Sequence, residues 1–122
     1  MAKTIMIVDD APSVRQVVGL ALRGAGYDVV EASNGKDAAG KLDGRKLNLV
    51  ICDLNMPIMD GIGFLEYIRA QPNYRFTPVI MLTTESAEDK KTKARAAGAK
   101  AWLTKPFQPS SMLDAVAKVC AP

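Results

Sequence analysis

The chain of 122 residues contains no histidine, a single tryptophan and only 6% aromatic residues. Without histidine it lacks the commonest general base and the commonest transition-metal ligand, which argues against histidine-dependent hydrolysis and zinc chemistry. Its two cysteines, Cys52 and Cys120, have neither the number nor the spacing of a disulfide framework. They read as reduced core thiols of a cytoplasmic protein. No apolar run approaches the ~18 residues of a membrane span. The first residues, one lysine and then two acids, do not form a signal peptide. A net charge of +3 is too small to point to nucleic acid, and no aromatic platform accompanies the lysines. No linker or low-complexity segment interrupts the chain, so residues 1–122 are expected to form one domain.

What is present is an alternation of short apolar runs with helix-period segments. Ile5-Met6-Ile7-Val8 reads as a buried strand, and Val14, Val17, Val18, Ala21 and Leu22 then recur on one helix face, with Pro12 in its first turn and Gly26 at its stop. Residues Asp28 to Ala32 form a half-polar strand suited to an edge, followed by a helix from about Lys36 to Leu42. Leu49 to Cys52 is the third strand, and Ile62, Phe64, Leu65 and Ile68 mark a helix that stops before Pro72. Val79 to Leu82 is the fourth strand. Ser86 with Asp89 resembles a capping box for a helix from Ala87 to Ala97, ended by Gly98. Ala101 to Thr104 is the fifth strand, and Pro109 opens a last helix whose Leu113, Val116 and Cys120 face inward. This (βα)5 pattern predicts an α/β fold, a doubly wound parallel five-stranded sheet with helices on both faces.

In such sheets the functional crevice lies beyond the carboxyl ends of the strands. There the chain sets Asp9 and Asp10 after strand one, Asp53 after strand three, Thr83 and Thr84 after strand four, and Thr104 and Lys105 after strand five. The three acids share a rim with one lysine. Two like charges ~4 Å apart repel by roughly 4 kcal/mol at an effective dielectric of ~20. A hard divalent cation is the simplest compensation, and an oxygen-only donor set suits Mg2+. With such charge nearby, Asp53 is a credible acceptor of a phosphoryl group, forming an acyl phosphate.

Asp9-Asp10, the segment DLNMPIMDG around Asp53, Thr83, and Lys105-Pro106-Phe107 together resemble the receiver domains of two-component response regulators, over essentially the whole chain. The stand-alone chemotaxis regulators of the CheY type are the nearest in pattern, with no output domain expected. The resemblance implies a flavodoxin-like fold with strand order 2-1-3-4-5, an order known of the family and not read from these residues. It implies Asp53 as phosphoacceptor, and Mg2+ held by Asp10, Asp53 and the backbone carbonyl of Asn55, with Asp9 acting largely through water. Lys105 would contact the phosphoryl group across a cis Lys105–Pro106 bond, and Pro57 and Gly61 match the loop that shapes the site. Thr83 and residue 102 would relay occupancy, while Asn55 and Glu85 would tune hydrolysis of the acyl phosphate. The donor would be a phosphohistidine on a sensor kinase. The target would dock on the surface of the fourth helix, fifth strand and fifth helix, a flagellar motor switch in the chemotaxis case. The implied protein is a monomeric signalling switch whose only chemistry is its own phosphorylation and dephosphorylation.

Position 102 departs from the family: Trp102 stands where Tyr, Phe or His is usual, and its larger indole puts the inward rotamer in question. Lys90, Lys91, Lys93, Arg95 and Lys100 give the fourth helix a basic face that is either simply solvated or steers an acidic partner. Three alternatives compete with the chemotaxis reading. One is a receiver in another phosphorelay. A haloacid-dehalogenase-type phosphatase also uses an aspartyl phosphate but wants two acids separated by one residue, whereas Asp9 and Asp10 are adjacent. A flavin carrier wants a Ser/Thr/Gly-rich phosphate loop, and Ala11-Pro12-Ser13 is a poor one.

Overall fold

The computed structural model describes residues 2–84 and 88–122. Five strands, β1 (Thr4–Val8), β2 (Asp28–Ala32), β3 (Leu49–Asp53), β4 (Val79–Thr83) and β5 (Ala101–Thr104), alternate with helices α1 (Pro12–Gly24), α2 (Gly35–Gly40), α3 (Gly61–Ala70), α4 (Glu88–Ala96) and α5 (Pro109–Val119). Every strand pairing is parallel, in the order β2-β1-β3-β4-β5. The predicted fold class and strand order are those observed.

The period of two in each strand sorts the apolar side chains onto two faces. Met6, Val8, Val50, Cys52 and Met81 meet Phe64, Leu65 and Ile68 of α3 and Ala94 of α4. Ile5, Ile7, Leu49, Ile51, Ile80 and Leu82 meet Val18 and Leu22 of α1 and Met112 and Val116 of α5. Each large side chain removed from water contributes about 1.5–3 kcal/mol before entropy is counted. β3 and β4 are buried along their whole length, while β2 and β5 are the partly exposed edges. The half-polar second strand is thus an edge, as its composition suggests.

Helix ends differ from the expectation in small ways. α2 stops at Gly40 instead of Leu42. The Asn34 side chain accepts from the Asp37 N–H at 2.8 Å and starts the helix early, and Leu42 instead packs on the core. α1 ends at Gly24, and Gly26 (φ 98°) takes the left-handed turn that leads into β2. In α5 the buried positions are Met112 and Val116, with Leu113 only partly covered. The expected capping residue Ser86 and first helical residue Ala87 lie outside the described residues.

Candidate functional site

β1 and β3 are neighbours, and β1 ends just before Asp9 while β3 ends on Asp53. The acids of these two segments therefore converge through pairing in the sheet. One carboxylate oxygen from each of Asp9, Asp10 and Asp53 lies within 4.8 Å of the others. Their environments differ sharply. Asp9 is 1% and Asp53 7% exposed, whereas Asp10 faces solvent.

Asp9 is pinned on every side. Its N–H donates to the Ala32 carbonyl on β2 at 3.1 Å, and its Oδ1 accepts from the Ala11 N–H at 2.9 Å. Its Oδ2 accepts from the Lys105 ammonium at 2.8 Å. The same ammonium lies 3.6 Å from Asp53 Oδ1. Lys105 is held in turn by its backbone N–H, which donates to the Thr83 carbonyl at 2.7 Å, and the Lys105–Pro106 peptide is cis. Burial, and then the neighbouring Asp9 carboxylate, push the Asp53 carboxyl above its ordinary value, with Lys105 pulling the other way. The site thus gathers three carboxylates against one ammonium.

The rest of the rim follows from the loop after β3. Asn55 is exposed there, directly after buried Leu54. Ile58 has φ 72°, an outlying conformation for a β-branched residue. Gly61 donates its N–H to the Leu54 carbonyl at 2.8 Å, and a Cβ there would lie 2.3 Å from the Asp53 carbonyl oxygen. Only glycine lets α3 begin against the end of β3. Thr83 is fully buried at the end of β4, and Thr84 is exposed beside Lys105 at the mouth of an apolar groove. Trp102 packs partly buried against the core face of α3 and α4, so the larger indole is accommodated there. Its Nε1 is buried with no hydrogen-bond partner among the described residues, and the Lys91 ammonium sits 5.9 Å from the ring centroid. Glu85 lies outside the described residues.

Asp9, Asp10, Asp53 and Lys105 are therefore brought together as the strand ends suggest. Arg15 was not singled out in the sequence, yet its guanidinium donates to the Asp9 carbonyl. A cation in a helix's first turn runs against the helix dipole, and that mismatch is the signal that could have found it.

A doubly wound parallel sheet with acids at adjacent strand ends places the chain among α/β domains whose ligand crevice lies beyond the carboxyl ends of the strands. Residues 5–117 match the response regulator receiver domain, and the chain belongs to that family. It is 34% identical to the chemotaxis protein CheY1 of Helicobacter pylori (strain J99) over 112 residues, covering 90% of each chain. It is also 34% identical over 113 residues to the phosphate regulon transcriptional regulatory protein PhoB of Pseudomonas aeruginosa, covering 93% of this chain but 49% of PhoB. The chain thus spans about half the length of that relative. Among solved structures, chemotaxis protein CheY4 of Vibrio cholerae is 40% identical with a TM-score of 0.94, covering 98% of this chain and 99% of its own. The receiver domain of sensor histidine kinase PA1611 from Pseudomonas aeruginosa, solved with a magnesium ion coordinated in its active site cleft, is 27% identical with a TM-score of 0.89 over 98% of both chains. Residues 5–117 are thus a response regulator receiver domain, a domain of the signalling type. Among the described residues no helix is long and apolar enough to cross a membrane.

Proposed function

We propose that residues 1–122 form one receiver unit that takes a phosphoryl group from a sensor-kinase phosphohistidine onto Asp53, with Mg2+ as cofactor. The carrying observation is the clustering of the Asp9, Asp10 and Asp53 carboxylates, with the Lys105 ammonium against Asp9 and Asp53. An oxygen-only donor set with two buried acids fits a hard cation, and Asp10, Asp53 and the Asn55 carbonyl would hold it, with Asp9 acting largely through water. When bound, the cation supplies positive charge to the phosphoryl oxygens.

The chain's own residues do the rest. An Asp53 carboxylate oxygen attacks phosphorus, the imidazole N–P bond breaks as the O–P bond forms, and the imidazole nitrogen keeps the electron pair and takes a proton from solvent. Lys105, already 3.6 Å from Asp53 Oδ1, neutralises the added charge. Attack needs the ionised carboxylate, and Lys105 favours that form against the burial and the Asp9 charge that raise the Asp53 carboxyl. Thr83 follows the phosphoryl oxygens, and Trp102 carries the change to the surface formed by α4, β5 and α5. Asn55 and Glu85 set how fast water removes the group.

Incubation with Mg2+ and acetyl phosphate, read by intact mass, tests this. One labile phosphoryl group is expected, absent in Asp53→Asn and without metal. Modification of any other side chain overturns it. Similarity to chemotaxis proteins over 90% and 98% of this chain supports a cytoplasmic chemotaxis role, with a flagellar motor switch as target. The similarity to PhoB and to a kinase-borne receiver supports the second reading, another phosphorelay. Unchanged swimming reversals in cells lacking the protein favour the second.

A further inference from the structure

Asp10 is the exposed member of the acid cluster, and a peptide joins it directly to buried Asp9. The carbonyl of that peptide accepts a hydrogen bond from Arg15 Nη1, one turn into α1. The other side of the guanidinium, Nε, lies 3.5 Å from Glu31 Oε1 on the edge strand β2. Arg15 is mostly buried, its side chain 18% exposed, while Glu31 is 38% exposed and also meets Arg23 at 3.5 Å. From this geometry we infer that Arg15 is a positioning residue for the cation site: held by Glu31, it fixes the Asp9–Asp10 peptide and so the backbone position from which the Asp10 carboxylate reaches the site. The inference rests on the proposed cation site.

Electrostatics and positioning make opposite demands on Arg15. As a charge, Arg15 beside an acid cluster opposes a dication, and its removal tightens binding. As a positioning group, it holds a ligand-bearing peptide, and its removal loosens binding. Hydrogen-bond partners one step behind metal ligands commonly change affinity by about 10–100-fold. Arg15 holds the backbone and not the carboxylate itself, which places the expected effect at the low end, about tenfold.

The test is calorimetric titration of the folded protein with MgCl2 at fixed ionic strength. Arg15→Met is expected to weaken binding about tenfold, and Arg15→Lys, which keeps one donor and the charge, to recover part of that loss. Glu31→Gln is expected to weaken it by a smaller factor, and the Arg15→Met/Glu31→Gln pair to match Arg15→Met alone, because Glu31 acts through Arg15. Arg23→Met, which removes only the exposed partner of Glu31, is a control expected to leave affinity unchanged. Binding that is equal or tighter in Arg15→Met overturns the inference while leaving the cation site standing, and so does an additive double variant. A parent protein that takes up no magnesium overturns both. Near-ultraviolet circular dichroism of each variant shows whether the fold is kept; should Arg15→Met not fold, Arg15→Gln carries the same expectation.

Discussion

β3 and the end of β5 each bring a charged residue to the same rim, and they do it in opposite ways. β3 is flanked by β1 and β4, and all five of its residues are buried, including the acid that ends it. β5 is an edge strand of four residues, none fully buried, with one neighbour in the sheet. Asp53 is therefore placed by a packed element that cannot yield without exposing core. Lys105 and Trp102 are placed by an element with few obligatory contacts, the kind that shifts at small free-energy cost. The crowded carboxylate lies on the fully buried strand, and its lysine counter-ion follows the partly exposed one.

Four experiments can break or sharpen that contrast. The largest expected effect is on the link between the two strands. Lys105→Met leaves Asp9, 1% exposed, without its counter-ion, and should cost about 3 kcal/mol in urea unfolding in metal-free buffer. Added MgCl2 should restore part of it. A loss within about 0.5 kcal/mol, the range of ordinary surface substitutions, would mean that the rim holds its charges without Lys105.

Next comes Gly61→Ala, whose Cβ meets the Asp53 carbonyl at 2.3 Å and the Leu54 Cα at 2.9 Å, both backbone. Overpacking against an unyielding strand should cost about 2–3 kcal/mol and weaken phosphoryl uptake. A neutral result would show that β3 is softer than its burial suggests.

Third, Asp53→Asn should melt a few degrees higher than the parent at pH 7 in metal-free buffer. The folded protein holds the Asp53 proton more tightly than the unfolded chain, so ionisation lowers stability at neutral pH. That penalty fades as pH falls through the raised value, and it is gone below the ordinary value of 3.8. The melting-temperature gap should close accordingly. Asp37 carries the opposite sign, since the Ser33 N–H holds its carboxyl below the ordinary range and acid costs stability there. Asp37 is common to both proteins and cancels in the difference. A gap that widens in acid refutes the burial of charge at Asp53.

The smallest effect belongs to the edge. Trp102→Phe loses apolar area but also removes a buried N–H with no partner among the described residues, a defect of about 1–3 kcal/mol. The two nearly offset, and the net change should stay within about 1 kcal/mol in urea unfolding. A loss above about 2 kcal/mol would show that the indole N–H is satisfied in solution.

How far the sequence was legible differs between the same two strands. Leu49 to Cys52 is unbroken by polar residues, so a doubly covered strand with an acid at its end was readable by inspection. Gly61 was marked only by resemblance, because its need is a backbone oxygen folded back against it. Arg15 was missed because its one mark in the sequence, a cation early in a helix, is weak until Asp9 and Glu31 are placed around it. The end of α2 was misplaced because Asn34 capping and the packing of Leu42 outweighed a weak helical signal.

The order of strands and helices, and the choice of residues standing at each strand's carboxyl end, were set by the sequence alone, since apolar period and turn chemistry act between near neighbours. Only the tertiary structure decided that Asp9 is buried and Asp10 is not, that Lys105 meets Asp9 from 96 positions away, and that the Trp102 indole hides its N–H. Burial and Coulomb energy depend on distance through space, and that distance exists only once the sheet has formed.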